Sequence, residues 1–388
     1  MIAEVIRSGF TESRHRGSAV ALDAEGRVVL RAGEVTAPMF PRSSNKPMQA
    51  AAMLGCGLDL DGKLLALAAA SHSGEPFHIA GVREILASAG LSEQALQCPP
   101  DLPIDEAAQR QVLRDGGQPE RVYMNCSGKH AAMLATCVAA GWPTASYRDP
   151  DQPLQREIRR TVEKLAGEPV AAVGVDGCGA PIFAVSLTGL AKAFRALVLA
   201  GPSSPKRKVA DAMRAHPDWT SGTTRAERAL MEAVPGLLVK SGAEGVQAFA
   251  LADGRAAAFK MEDGAHRAVP AVAVALLRML GVDGADGVER VRGAGGSERV
   301  AGAERVRGAD RAERGGGAER MRGADRAERV ARAERMRGAD AAGGAGGAIQ
   351  AFGDGQPDLA ALDRIANIPV HGGGEVVGQI RAALPART

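Results

Sequence analysis

Ser43 and Lys46 stand three residues apart in "PRSSNKPMQAAAML" (41–54), at the head of an apolar run. At a helix start this spacing puts both side chains on one face, within reach of each other. A serine hydroxyl is a weak nucleophile until a base takes its proton. A lysine can be that base where burial and a neighbouring cation lower its pKa. Backbone N–H groups of the first helical turn, that of Ser43 among them, can stabilise the oxyanion of an attacked carbonyl. The same four residues also read as an ordinary helix start carrying a surface lysine, because Ser-x-x-Lys arises often by chance. Pro47 removes one N–H and disfavours α geometry at Lys46, so the spacing predicts a tight or irregular first turn.

Two further stretches extend the pattern. Ser71 lies in "AAASHSGEP" (68–76) between two helix-like runs, on a corner that either points the hydroxyl into a cleft or simply caps a helix. Lys240 lies in "VKSG" (239–242) on an apolar strand, where a small hydroxyl residue and a glycine let substrate lie against the backbone. Ser-x-x-Lys, an interior serine, then Lys-Ser-Gly on a strand is the order found in serine β-lactamases and penicillin-binding proteins. A second constellation carries sulphur. "NCSGKH" (125–130) offers Cys126, Lys129 and His130, and "VDGCG" (175–179) offers Asp176 and Cys178 in a loop at a strand end. Cys126 and Cys178 with a third group could hold zinc, although the spacing matches no zinc finger; from the residues alone two unpaired buried thiols are the favoured reading. His72 and His78 are further candidate ligands or packed side chains.

The elements that must position these groups are visible in periodicity and turn residues. "SAVALDAEGRVVLRAG" (18–33) alternates around a D-A-E-G turn and predicts a β-hairpin. Helices are expected over about 47–54, 61–70, 76–89, 128–142 and 154–167, and again in "SLTGLAKAFRALV", "KRKVADAMRAH" and "AVPAVAVALLRML". "PVAAVGVDGCGAP" (169–181) reads as a short strand entering a glycine-bearing loop. "GLLVKSG", "GVQAFALAD" and "RAAAFKMED" form a meander of three strands, and "GEVVGQIRAAL" (374–384) a last edge strand. The pattern is α+β, an antiparallel sheet flanked by helices.

The whole chain sets limits. It has 388 residues, and with aromatics at 3% the core must be built from Ala, Val, Leu and Met. The N-terminal "MIAEVIRSGF" carries Glu4 and lacks a sustained apolar run, which predicts no signal peptide. No stretch approaches the roughly 18 uncharged apolar residues of a membrane helix. Five cysteines (56, 98, 126, 137 and 178) form no disulfide framework and point to a reducing compartment. Net charge is +3, and residues 286–340, with 14 Arg against 11 acids, account for all of it, so the basic balance is no sign of nucleic-acid binding. That segment repeats E-R-V/M-R-G-A from Glu289, Glu304, Glu319 and Glu334, every 15 residues. Lacking Leu, Ile and aromatics, it cannot bury enough apolar surface to offset the entropy of ordering. The expected organisation is a catalytic domain over 1–283 and 349–388, interrupted at 284–348 by a disordered or partly helical insertion, or by a partner-binding arm.

"RSSNKP", "ASHSGEPFHIAG", "NCSGKHAAMLA", "DGCGAP" and "FKMEDG", in this order, resemble the serine–lysine L-asparaginases of the Rhizobium type, the asparaginase II family. The resemblance runs from the first hairpin to about residue 280 and resumes at 365–388. It implies a serine β-lactamase-like fold, a cytoplasmic homodimer, and hydrolysis of L-asparagine to aspartate and ammonia. By motif, Ser43 resembles the nucleophile and Lys46 its partner, Ser71 the second serine, and Lys240 the lysine of a second Ser–Lys pair. Cys126, Lys129 and Cys178 resemble zinc ligands, with Asp176 beside the metal through water. Zinc would orient substrate rather than activate water. The rival readings are a glutaminase or another amide hydrolase of the same fold, and a non-catalytic ligand-binding or scaffold protein.

Overall fold

The computed structural model describes residues 1–282 and 355–387, which belong to one compact unit. The repeat and the expectation placed on it lie outside the described residues. The chain opens with strands β1 (Ala3–Arg7), β2 (Phe10–His15), β3 (Gly17–Leu22), β4 (Val28–Ala32) and the short β5 (Pro38–Met39). A 3-10 turn over Arg42–Asn45 runs into helix α1 (Lys46–Gly55), followed by α2 (Gly62–Ala68), α3 (Pro76–Ser88), α4 (Glu106–Arg114), α5 (Ser127–Ala139) and α6 (Pro153–Ala166). Strands β6 (Val173–Val175), β7 (Pro181–Phe183) and β8 (Val185–Ser186) lead to α7 (Leu187–Val198), α8 (Pro205–Ala215), α9 (Pro217–Thr220) and α10 (Ala226–Ala233). The meander β9 (Leu238–Gly242), β10 (Val246–Ala250) and β11 (Ala256–Met261) precedes α11 (Val269–Met279). After the repeat come α12 (Leu359–Ala366), β12 (Ile368–Gly372) and β13 (Glu375–Ala382).

The class is α+β, as the alternation of patterns implied. The predicted hairpin and the predicted meander join through β11 and β3 into one antiparallel sheet, ordered β4-β3-β11-β10-β9. Both of its faces are covered. Along β11, Ala256 and Ala258 enter one apolar cluster with the helices α1, α2 and α5 to α8. Ala257 and Phe259 enter the other, with α10 and α11. This is the two-residue period of a strand read on both sides. Alanine-rich strands let α7 lie close over β3, β10 and β11, which is how a chain poor in aromatics fills its core.

Two expectations are corrected. Residues 374–384 do not form an edge strand: β13 lies between β12 and β1 in a separate four-stranded sheet, β12-β13-β1-β2. The pairing Val5↔Ile380 joins chain ends that no local pattern connects. The strand expected over 169–181 is shorter. β6 pairs with β7 as a small ribbon, leaving Asp176 to Ala180 in the turn between them.

Candidate active site

The 3-10 turn that delivers Ser43 is held against the end of β9. A Cβ on Gly242 would run into the Pro41 carbonyl oxygen and sit 3.2 Å from both the Arg42 Cβ and the Ser44 nitrogen. The turn, not substrate, occupies the space the glycine opens. Arg42 takes a positive φ of 52°, uncommon for a residue with a side chain, and its Nε donates to Asp176 Oδ1 at 2.7 Å. The irregular first turn expected from Pro47 is present. Lys46 itself, however, is α-helical at φ −58°, ψ −36°, contrary to the restriction that a following proline usually imposes.

Lys46 and Lys240 are both wholly buried, a rare position for a lysine that no partner holds. Lys46 Nζ donates to the Ala70 carbonyl at 2.5 Å and to Ser71 Oγ at 3.0 Å. It makes no hydrogen bond to Ser43 Oγ, although the Lys46 backbone N–H bonds the Ser43 carbonyl. Ser43 and Ser71 are each half-buried. Lys240 Nζ donates to the carbonyl of Ser241 at 2.7 Å. Burial, with the charge of Lys46 next, pushes the Lys240 pKa down to about 7, so that this amine gains and loses a proton near neutrality. His72, beside Ser71, is pushed well below the usual histidine range by burial, then by His78 and Lys46. Its Nδ1 accepts from the Gly74 N–H, which leaves Nε2 to donate to Ser127 Oγ at 2.8 Å, while Ser127 donates to the Val122 carbonyl. That chain holds neutral groups and braces the Ser71 corner.

The sulphur constellation also assembles. Helix α5 begins at Ser127, so Cys126 and Lys129 share its first turn and face the β6–β7 turn that carries Cys178. Lys129 Nζ lies 3.1 Å from Cys178 Sγ. The neighbouring Cys126 thiol, which donates to Asn125 Oδ1 at 3.0 Å, lowers the Cys178 pKa to about 5 against the opposing effect of burial, and Lys129 lowers it further. Cys126 moves the other way, to about 12, through the neighbouring Cys178 and its own burial. Burial works against the charge on Lys129, but Cys178, Cys126 and Asp176 together raise its pKa. The cluster adjoins the lysines electrostatically, since Cys126 interacts with both Lys46 and Lys240.

The L-asparaginase II family matches residues 3–311. The chain belongs to that family. Membership makes it an amidohydrolase. A comparison with curated proteins returned no match. Among solved structures, a β-lactamase (Mb2281c) from Mycobacterium bovis is 15% identical, covering 67% of this chain and 93% of its own, with a TM-score of 0.37. Mglu in its native form is likewise 15% identical, covering 71% of this chain and 67% of its own, with a TM-score of 0.37. The α+β assignment rests on the sheet order of this chain itself. None of the helices among the described residues is long and apolar enough to cross a membrane.

Among the described residues no three His, Cys, Asp or Glu side chains converge as ligands. Asp176 gives one carboxylate oxygen to Arg42, and its other stands 3.9 Å from Cys178 Sγ. A tetrahedral site here would therefore draw on two sulphurs and the Lys129 nitrogen, with Asp176 outside the first ring. Soft sulphur beside a nitrogen fits zinc, provided that Lys129 gives up its proton. No motif marks Arg42, Tyr147 or Glu227, whereas His130 is one of the residues that "NCSGKH" offers. Arg42 pins the turn to Asp176. Tyr147 Oη and His130 Nδ1, 2.6 Å apart, brace α5. Glu227 is buried in the first turn of α10, a helix that packs on β9.

Proposed function

We propose that this amidohydrolase acts on L-asparagine, releasing aspartate and ammonia through an acyl-enzyme on Ser43. The observation that carries the reading is the buried Lys46 amine 3.0 Å from Ser71 Oγ, next in the chain to the turn of Ser43. An amine kept from water beside a hydroxyl can accept a proton and return it without the cost of reorganising solvent. In this scheme Ser43 Oγ attacks the side-chain amide carbon and its proton passes to the Lys46–Ser71 pair. The C–N bond then breaks, and the leaving nitrogen takes that proton and departs as ammonia. Lys240, titrating near 7, keeps the network supplied with a neutral acceptor. Water adds to the ester carbonyl, gives its proton back through the same groups, and frees aspartate and the Ser43 hydroxyl. Cys126, Cys178 and Lys129 would hold a zinc ion, with Asp176 beside it. When bound, that ion supplies positive charge for the binding and orientation of substrate. A cytoplasmic homodimer completes the reading.

The Lys46–Ser71 hydrogen bond favours one alternative within the same chemistry, with Ser71 as the acylated residue. Ammonia release from asparagine and glutamine, on the wild type, Ser43→Ala and Ser71→Ala, tests both. The expected result is turnover of asparagine, and no acyl-enzyme on the quenched Ser43→Ala protein by mass spectrometry. Turnover retained by Ser43→Ala refutes the assignment; an adduct on Ser71 in the wild type transfers the role. Glutamine hydrolysed in preference to asparagine replaces the substrate.

A further inference from the structure

The stretch "SHSGE" (71–75) links α2 to α3, and its residues alternate in what they bind. His72 meets the start of α5: its N–H donates to the Asn125 carbonyl at 3.1 Å and its ring to Ser127 Oγ, while Gly74 donates to the ring from below. Ser71, Ser73 and Glu75 instead bind "TSGT" (220–223), where α9 ends and the chain crosses to α10. The Ser71 N–H donates to the Thr220 carbonyl at 3.2 Å, and the Ser73 hydroxyl to the Ser221 carbonyl at 2.7 Å. Glu75 accepts twice from Thr223, at Oε1 from its N–H at 2.8 Å and at Oε2 from its hydroxyl at 2.7 Å. Between these bonds Gly222, at φ 137°, lies so close that a Cβ would run into the Ser73 hydroxyl and sit 2.9 Å from Glu75 Oε1. Glu75 also stands where a helix cap is expected, before Pro76 at the head of α3. Its side chain makes no bond to that helix; both of its oxygens go to Thr223.

We infer that Glu75 is a positioning residue for the amidohydrolase reaction: by gripping the Thr223 N–H and hydroxyl together, it fastens the 220–223 segment across the corner and fixes the Ser71 hydroxyl against the Lys46 amine. The inference rests on the role proposed above for the Lys46–Ser71 pair. Ser71 is tied to this segment through its own N–H and meets Lys46 Nζ at 3.0 Å, so what holds the segment holds that hydroxyl. The grip itself lies at the rim, with Thr223 exposed and Glu75 half-buried. Hydrogen bonds in contact with water add only modestly to global stability, so the effect of this one is local. Two acceptors are what the geometry asks for, not charge. Glutamine meets it as well, its oxygen accepting from the N–H and its NH2 donating to the hydroxyl oxygen; alanine does not. Valine at 223 keeps the shape of threonine and loses the hydroxyl bond.

The test uses the full chain and ammonia release from whichever of asparagine and glutamine the wild type hydrolyses faster, with kcat and KM read separately. Glu75→Ala is expected to lower kcat by at least about tenfold with KM changed less than about twofold, and Glu75→Gln to stay within about threefold of wild-type kcat. Thr223→Val should lower kcat by at least about threefold, and Thr223→Ser, which keeps the hydroxyl, should restore it. Added to Glu75→Ala, Thr223→Val should cost nothing more, because the bond it removes is already gone. Should Glu75→Ala fail to fold, the exposed Thr223 pair decides. Wild-type kcat in Glu75→Ala or in Thr223→Val overturns the inference. So do equal losses in Glu75→Gln and Glu75→Ala, which would make the charge the cause, and a Thr223→Val loss that persists in full beside Glu75→Ala. If Ser71→Ala is inactive and these variants behave as wild type, only the role of Glu75 falls. If Ser71→Ala keeps wild-type turnover, the underlying chemistry falls instead.

Discussion

Substituting Gly242 with alanine should damage the reaction far more than the fold. Gly242 has no positive φ, so the backbone accepts a Cβ; the obstacle is the turn packed on it, with the Pro41 carbonyl in the way and the Arg42 Cβ and Ser44 N at 3.2 Å. Restoring an ordinary carbon–oxygen separation of about 3.3 Å requires roughly 0.9 Å of movement. Inserting one methyl group into a close-packed contact costs about 1 to 3 kcal/mol of stability, which a protein of ordinary stability survives. Displacing a reacting group by about 1 Å costs on the order of 100-fold in rate, and Ser43 rides on the displaced segment. The expected result is a fall of about 100-fold in kcat/KM for asparagine, read by ammonia release, alongside a loss of about 1 to 3 kcal/mol in urea unfolding. Gly55→Ala is the matched control: it ends α1, no heavy atom lies within 4 Å of its added Cβ, and it should leave rate and stability nearly unchanged. A Gly242→Ala protein with kcat/KM within roughly twofold of wild type would show that the turn is not fixed by β9, and the positional argument for Ser43 would go with it.

Lys240 makes a prediction about stability against pH. Its pKa is about 7 when folded and about 10.4 when unfolded, so between those values the unfolded chain binds more protons and its contribution to stability rises with pH. That contribution is lost as pH falls through 7. The difference in unfolding free energy between wild type and Lys240→Met should therefore grow by at least about 1 kcal/mol from pH 7 to pH 10, and a difference that stays level across that window refutes the assignment. For the metal, protein purified without chelator should carry about one zinc per chain by atomic emission, and Cys178→Ser and Lys129→Met should each lower that content and the Tm gain on adding zinc. Unchanged zinc in both variants would remove these groups as ligands.

Local signals reached most of the elements and fewer of the contacts. The β3–β4 hairpin, the β9–β11 meander and the helices that flank them follow from alternation, turn residues and the 3.6-residue period, and their ends lie within a few residues of expectation. The four-stranded sheet was hidden because β2, "FTESRH", is half-exposed and charged, and because β1 and β13 find each other only from opposite ends of the chain. Glu227 was hidden for a related reason. In "TTRAERAL" it stands between two arginines and reads as a solvated helix face, whereas it is buried at the head of α10.

Ser-x-x-Lys shows most clearly what a spacing determines. Three residues bring the backbone of Ser43 to Lys46, and the hydrogen bond between them is a main-chain one. The lysine head is carried away on four methylenes, farther than one helical turn. It ends at whatever acceptors cross there, and here those are Ala70 and Ser71 at the end of α2. A motif of this kind therefore specifies the face from which a base approaches; the hydroxyl it meets is chosen by a second segment. The chemistry assigned to Ser43 and Lys46 depends as much on the corner at Ser71, braced by His72 and Ser127, as on their own separation.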